Sequence, residues 1–400
     1  MSKVALKIVA TQIRGVSYSP TDASETAQED YVPLLRAHNI QDNGLNFDRL
    51  VYVKSGKIKA TQYIKKGDIV VCASSGSKNL VGKAAQAKED MTATFGAFCK
   101  VVRPSDTVHH EYIGQFFNSE IYRREISNSS EGVNINNIRN EHIDQISVLL
   151  PSIDTQHLIA DTLCKIQVVI ATRCEQLAVL DKLARDAFVD MFGDPVENPT
   201  GWDVVPFYDC VNKIDNGESP KCLSRKAELE EPAVLKLSAV TKGVYDDNEN
   251  KAAPHIQLNP ENEIKQGDLL MTRKNTHKLV GACAYVFATR GKLFLPDIVF
   301  RLCTTTKMSK LFLWQLMNFP SFRPRVRALA GGTAGSMPNI SKGRLINLPI
   351  ICPPLELQEE YGKTLLKINR QQSRLTESLG ELDTMYKSTL YRVFNGELFQ

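Results

Sequence analysis

Apolar positions along this chain follow two kinds of pattern. Between residues 155 and 192 there is no proline and no glycine, and apolar residues recur every seven positions in two registers. One register holds Ile159, Ile166, Arg173, Leu180 and Ala187. The other holds Leu163, Ile170, Leu177, Ala184 and Met191. Alternating steps of four and three mark the seam of a helix that packs along another helix. The pattern returns 202 positions later, at Tyr361, Leu365, Ile368, Gln372, Leu375, Leu379, Leu382, Tyr386 and Val393, interrupted at Gln372 and Thr389. Pro151 and the Pro353-Pro354 pair stand just before these stretches, where no helical N–H is lost. Gly193 and Gly396 follow them as stop signals. Two long helices are predicted, the first about 38 residues and roughly 57 Å long. Helices of ordinary domains average about three turns, so these two are predicted to pair with each other.

Elsewhere the apolar runs are short and β-branched, bounded by turn residues. Residues 50–53, 69–72 and 269–272 read as strands, the last two each entered through a Gly-Asp turn. Helices are predicted over 111–127 and 309–319. The two halves of the chain also match each other. Val-Pro-Leu-Leu-Arg at 32–36 parallels Pro-Ala-Val-Leu-Lys at 232–236, and Ile-Lys-Lys-Gly-Asp at 64–68 parallels Ile-Lys-Gln-Gly-Asp at 264–268. Leu-Val-Gly at 80–82 parallels 279–281, and Asn137-Ile138 parallels Asn339-Ile340. Pro151, Ile153 and Gln156 parallel Pro353, Leu355 and Gln358. A nearly constant offset near 200 is too long for a solenoid repeat and indicates a duplicated domain-plus-helix. The expected organisation is a globular domain over 1–150, a spacer helix over 151–195, a second globular domain over 201–350 and a second helix over 351–400. The second globular region enters near Trp202 and leaves near Pro349, and domain termini are often neighbours. The helices are then antiparallel, with Arg173 opposite Gln372. The fold class expected is α+β: two mixed, strand-rich domains joined by two long helices in an antiparallel coiled coil, with an internal pseudo-twofold repeat.

Composition changes this picture little. Of 400 residues, 42% are hydrophobic and 24% charged, with a net charge of +4, which permits a polyanion partner without demanding one. Nine cysteines without Cys-x-x-Cys spacing suit reduced thiols in a cytoplasmic protein better than a disulfide framework or a zinc site. No run is long enough to span a membrane. Catalytic signatures are missing: no Gly-x-Gly-x-x-Gly after a strand, no Walker lysine, and no Asn/Asp-Pro-Pro-aromatic string. The glycine-rich 331–336 segment lacks a lysine and reads as a mobile loop. A nuclease reading would rest on Glu263 and Lys265 with Asp246 or Asp247, yet the matching first-half residues, Tyr63 and Lys65, lack the acid. His109-His110-Glu111 reads as a helix start. The chain is therefore expected to hold no metal and to be a two-headed recognition protein rather than an enzyme.

Several strings resemble one family. Leu-Leu-Pro-Ser-Ile-Asp-Thr-Gln at 149–156, the long helix ending Asp-Met-Phe-Gly-Asp-Pro at 190–195, and then Gly201-Trp202 look like the central region of type I restriction–modification specificity subunits. Ile-Cys-Pro-Pro-Leu-Glu-Leu-Gln at 351–358 looks like its second copy. Arg-Gly-Val-Ser-Tyr at 14–18 and Asp-Asn-Gly-Glu-Ser-Pro at 215–220 resemble openings of the family's target-recognition domains. The resemblance implies a non-catalytic DNA sequence-specificity subunit that reads a bipartite, asymmetric site. Two adenine-N6 methyltransferase subunits would dock on the helices, and motor-nuclease restriction subunits would join them. S-adenosylmethionine, ATP and Mg would belong to those partners, with no cofactor bound by this chain and no membrane involved. A subunit for a fused methylase–nuclease partner is the neighbouring alternative. The protein would be cytoplasmic and nucleoid-associated.

Candidate DNA contacts are basic, aromatic or amide residues of the globular regions. In the first they are Arg14, Tyr18, Lys78, Asn79, Arg123, Arg124 and Asn134. In the second they are Lys221, Arg225, Arg273, Lys274, His277, Lys278, Arg323, Arg325 and Arg327. Arginine suits bidentate contact with guanine and asparagine contact with adenine, whereas lysine more often marks phosphate. The 323–327 cluster, Arg-Pro-Arg-Val-Arg, is the densest.

Overall fold

The two Gly-Asp turns show how a local string becomes structure. The structure, a computed structural model, describes residues 2–42, 44–77, 80–128, 137–332 and 337–399. Gly67 and Gly267 both adopt φ +87°, a region closed to most side chains. The aspartate that follows closes each turn. Asp68 Oδ2 accepts from the Lys65 amide at 2.8 Å, and Asp268 Oδ2 from the Lys265 amide at 2.9 Å. Each aspartate then receives an arginine from the central strand of its sheet. Arg103 Nε and Nη2 donate to the two oxygens of Asp68 at 2.7 and 2.6 Å, and Arg301 Nη1 approaches Asp268 at 3.4 Å. The turns launch the strands Ile69–Cys72 and Leu269–Thr272, both buried throughout, at the positions the apolar runs predict.

Contacts divide the chain into two compact units, residues 1–175 with 376–400, and residues 176–375. In the first, Ala10–Arg14, Cys99–Pro104, Ile69–Cys72 and Ala84–Gln86 form a four-stranded sheet in that order, all antiparallel. Successive residues point to opposite faces. Ile69, Val71 and Val102 therefore join the helical core, while Val70, Cys72 and Val101 face a second sheet that includes Tyr31–Leu35 and Val51–Lys54. A sheet covered on both faces reads as a continuous apolar run rather than an alternating one.

The second unit repeats the order with Val211–Asn216, Val299–Thr304, Leu269–Thr272 and Cys283–Tyr285. Leu269, Met271, Phe300 and Leu302 face its helical core, and Leu270 and Val299 face the smaller sheet around Ala233–Leu235. Each unit also has a two-stranded ribbon, Ser2–Ala5 with Ser147–Leu150 and Val204–Pro206 with Pro349–Ile351.

The long helices are Ile153–Phe192 and Leu355–Phe394. Every seam residue named for either helix is buried or half-buried. Each unit packs the start of one helix and the end of the other against its own globular part. In the first unit Ile159, Ala160 and Leu163 share a core with Leu390, Val393 and Phe394, the last ring 5.2 Å from both Tyr112 and Phe116. In the second, Phe188 and Phe192 stack among Phe312, Phe319 and Tyr361. A buried phenylalanine contributes about 1.5–3 kcal/mol, so these clusters fasten the helix ends firmly. Within the second unit the helical segments run in opposite directions, since Tyr361 Oη donates to Ala184 O at 2.9 Å and Gln372 Nε2 to Asp181 Oδ1 at 2.7 Å. Gln372, expected opposite Arg173, thus has an aspartate as its partner.

The Pro…Gln spacing noted twice in the sequence has one structural meaning. Gln156 Oε1 accepts from the His109 amide at 2.9 Å, and its Nε2 donates to Pro151 O at 2.9 Å. Gln358 Oε1 accepts from the Ser309 amide at 2.9 Å, and its Nε2 donates to Pro353 O at 2.7 Å and Lys307 O at 3.1 Å. His109 and Ser309 are the N-caps of the globular-domain helices His110–Phe117 and Lys310–Asn318. The amide satisfies a helix-end donor and ties the long helix to its own head.

One predicted helix differs. Residues 111–127 form two helices, His110–Phe117 and Glu120–Asn128. Buried Ser119 causes the break: its hydroxyl donates to Phe116 O at 2.6 Å and accepts from the Tyr122 amide at 3.2 Å, competing with the helical ladder.

Candidate nucleic-acid interface

Three expected contacts, Lys78, Asn79 and Asn134, lie outside the described residues, as does 333–336 of the glycine-rich loop. The rest fall into two groups, those committed inside the fold and those presented to solvent.

Arg123 and Arg323 do the same internal task. Arg123 Nη1 donates to Val81 O at 3.2 Å and Arg323 Nη2 to Val280 O at 3.1 Å. Each clamps a helix against the repeated Leu-Val-Gly turn. Burial lowers the Arg323 pKa, and its Nη1 is buried without a hydrogen-bond partner among the described residues. Arg225 is exposed but held bidentate by Glu231, both N–O distances being 2.7 Å. The hydrogen bond from Arg225 brings the Glu231 carboxyl down to about 2. Arg325 Nη2 reaches Val196 O at 3.4 Å, and Arg327 is half-buried on the helix Arg323–Ala328.

Arg14, Tyr18, Arg124, Lys221, Lys274, His277 and Lys278 are exposed. Arg14 ends the edge strand of the first sheet and pairs in register with Lys100. Around them lies a groove of about 360 Å³ lined by Gln12, Arg14, Ala73, Lys100, Arg139 and Asn140. Its members are already organised. Lys100 Nζ donates to Asn140 Oδ1, and Gln12 Nε2 donates to Asn140 O at 2.9 Å and Asp144 Oδ1 at 2.6 Å. Burial lowers the Lys100 pKa, opposed by the carboxylates of Asp144 and Glu141.

In the second unit Arg273 is held by two hydrogen bonds and an aromatic ring. Its Nε donates to Asn339 Oδ1 at 3.1 Å, its Nη1 lies 3.4 Å from Asp297 O, and its guanidinium sits 5.6 Å from the Phe300 ring centroid. Lys342 Nζ sits 5.9 Å from the same ring. Arg14 and Arg273 are among the residues expected from the sequence, whereas Gln12, Lys100, Arg139 and Asn140 around the first and Phe300 and Lys342 around the second are not. The repeated Asn-Ile at 137–138 and 339–340 was the available signal, since Arg139-Asn140 and Ser341-Lys342 follow it directly.

Two residues of the nuclease reading, Glu263 and Asp246, are otherwise engaged. Glu263 Oε1 accepts from the Lys292 amide at 2.8 Å, and Asp246 Oδ1 from the Asn248 amide at 3.0 Å. Among the described residues no three His, Cys, Asp or Glu side chains come together in a way that could hold a metal ion.

Comparison with known proteins finds one family of relatives. Residues 11–179 match the model of the type I restriction modification DNA specificity domain. The type I restriction enzyme EcoKI specificity subunit of Escherichia coli K12 is 29% identical over 98% of this chain and 87% of its own. The StySPI specificity subunit of Salmonella potsdam is 27% identical over the same shares. Among solved structures, the S subunit of a type I restriction–modification system from M. genitalium superposes with a TM-score of 0.61 at 13% identity, covering 98% of this chain and 96% of that one. Fold and comparisons define a class of proteins, mixed sheet-and-helix domains carried on long helices. Within that class, this chain is similar along nearly its whole length to the specificity subunits of type I restriction enzymes, and residues 11–179 match their specificity domain.

Proposed function

We infer that this chain is the DNA sequence-specificity subunit of a type I restriction–modification complex, a recognition subunit whose catalytic chemistry resides in its partners. One observation carries the reading at the level of chemistry. Both units build the same sheet order and the same Gly-Asp turn, yet present different side chains at the sheet rim: Lys100 and Arg14 in one, Arg273 and Lys342 in the other. Two equivalent frames with unlike polar surfaces suit a reader of two unlike half-sites.

The finer reading is a bipartite, non-palindromic target. The two long helices pair as an antiparallel coiled coil related by a pseudo-twofold repeat and act as the ruler between half-sites. Forty residues of helix extend about 60 Å, enough for half-sites one DNA turn, about 34 Å, apart. The domain plan is target-recognition domains over 1–150 and 201–350 and spacer helices over 151–195 and 351–400. Arg14, Tyr18, Arg124, Lys221, Arg273, Lys274, His277 and Lys278 are the accessible DNA contacts, together with Arg325 and Arg327 of the helix Arg323–Ala328 and with Lys78, Asn79 and Asn134. Arg123, Arg225 and Arg323 act mainly by shaping the surface. Two adenine-N6 methyltransferase subunits dock on the helices, supplying S-adenosylmethionine chemistry on a flipped adenine, and motor-nuclease subunits add ATP and Mg. Among the described residues no helix is long and apolar enough to cross a membrane; a cytoplasmic, nucleoid-associated location fits this role.

Mapping N6-methyladenine in cells that carry this chain with its methyltransferase tests the reading. The expected map is one two-part motif with unlike halves at a fixed spacing. A single contiguous or palindromic motif would overturn the two-headed form.

A further inference from the structure

Strand pairing aligns the two sheet rims residue by residue. Lys100 pairs with Val71 and Arg14, while Phe300 pairs with Met271 and Asn216. Ile69 and Leu269 open the corresponding strands, so Lys100 and Phe300 occupy one equivalent position and Arg14 and Asn216 another. One residue past these strands the chain crosses the same backbone frame in both units. Ala73 O accepts from the Ile138 amide at 2.6 Å, and Arg273 O from the Ile340 amide at 2.9 Å. Ser74 bridges Asn137 just as Lys274 bridges Asn339, and Ile138 and Ile340 are both buried. The frame is common, but the side chains mounted on it are not. Position 73/273 is a methyl in one head and a guanidinium in the other. Position 100/300 is an ammonium in one and an aromatic ring in the other. Position 140/342 is an amide in one and an ammonium in the other.

Resting on the DNA-specificity reading above, we propose that these three pairs of equivalent positions are the determinants that make the two half-sites differ: Arg273, seated on Phe300 beside Lys342, reads a guanine in one half-site, and Lys100 with Asn140 reads the counterpart base of the other. The geometry is that of a base reader rather than a phosphate clamp. Arg273 is oriented by Asn339, by the Asp297 carbonyl and by the Phe300 face. Its Nη2 makes no hydrogen bond among the described residues. A guanidinium already held by two hydrogen bonds loses little freedom on binding and carries the fork that matches guanine O6 and N7. A phosphate contact needs only a mobile point charge. On the first head position 73 is an alanine, and the guanidinium groups of that groove come from other positions, Arg14 on the neighbouring strand and Arg139 after Ile138. Lys100 is held by Asn140 and Gln12 instead, an ammonium-plus-amide pair with a different hydrogen-bonding pattern.

The test uses the chain in complex with its methyltransferase and a library of double-stranded sites varied one base pair at a time. Arg273→Ala places in the second head the residue the first head already carries on that frame, so the fold should tolerate it. The expected result is a loss of preference for guanine at one position of one half-site, about 5- to 100-fold, with the other half-site unchanged. Arg273→Lys should keep overall affinity and lose the same preference, because it retains charge without the fork. Lys100→Met should alter only the other half-site. Equal weakening across all sequences would make Arg273 a phosphate contact and overturn the proposal, as would a change in both half-sites or in neither. If Arg273→Ala unfolds, judged by its melting curve, Arg273→Lys decides alone. A wild-type complex that shows no two-part site would instead defeat the underlying functional reading.

Discussion

Gln358 is fully buried, although an unpaired buried amide costs several kcal/mol. It is tolerated because each of its polar atoms has a backbone partner, at Ser309, Lys307 and Pro353. Gln156 repeats the arrangement at His109 and Pro151. Replacing Gln358 with leucine keeps apolar volume and removes those partners, leaving the Ser309 N–H and the buried Pro353 carbonyl without the amide. The expected cost is at least about 2 kcal/mol, read as a lower urea midpoint with unchanged slope. A shift smaller than about 0.5 kcal/mol would show that the amide does not tie helix to head. The arginines teach a related lesson. Arg123 and Arg323 look like DNA contacts in the sequence because charge is all that a sequence displays. Their carbonyl partners, Val81 and Val280, lie more than forty residues away, so nothing local announces the commitment.

At the scale of elements, the long helices were legible almost to the residue. Prolines before, glycines after and an unbroken seam between are all local signals, and the helices run Ile153–Phe192 and Leu355–Phe394. The second helix contains two glycines with opposite expectations. A Cβ at Gly362 would lie 3.3 Å from Leu311 Cδ1, whereas one at Gly380 meets nothing within 4 Å. Glycine within a helix is disfavoured relative to alanine by roughly 0.5–1 kcal/mol. Gly380→Ala should therefore stabilise the protein by about that amount, raising the melting temperature by a few degrees or less. A lower melting temperature would mean that position 380 faces a surface that needs the space. The helix predicted over 111–127 failed for a reason propensity does not carry: the Ser119 side chain competes for backbone groups only once it is buried.

At the scale of the molecule, a net charge of +4 is small for a protein that grips DNA alone. Affinity must then come from local cations rather than from a general field. Binding to double-stranded DNA should weaken linearly in log salt, by about 0.9 in slope for each neutralised phosphate. Replacing Lys274 and Lys278 by alanine should flatten that slope by about two units and leave the preferred bases unchanged. Fluorescence anisotropy between about 50 and 200 mM salt reads this directly. An unchanged slope would place both lysines away from the phosphates. This outcome contrasts with that expected for Arg273, where preference changes and the salt slope moves little.

By itself the sequence determined what depends on neighbours along the chain. It specified both long helices, the Gly-Asp turns, the strands 69–72 and 269–272, and the matched strings of the two halves. It also carried the family resemblance, because the Pro…Gln spacing and the helix-ending string are contiguous. Tertiary structure decided what depends on distant partners. It set which arginines are spent on carbonyls and which are exposed. It placed the end of the second helix in the core of the first unit, through Leu390, Val393 and Phe394. It brought Lys100, Gln12 and Asn140 together from three separate segments, and Arg273, Phe300 and Lys342 from three others. Helix and turn signals are short-ranged because they rest on backbone geometry. A recognition surface is assembled across sheet pairings whose register no local string encodes, so the residues that distinguish one head from the other became visible only when strands were paired.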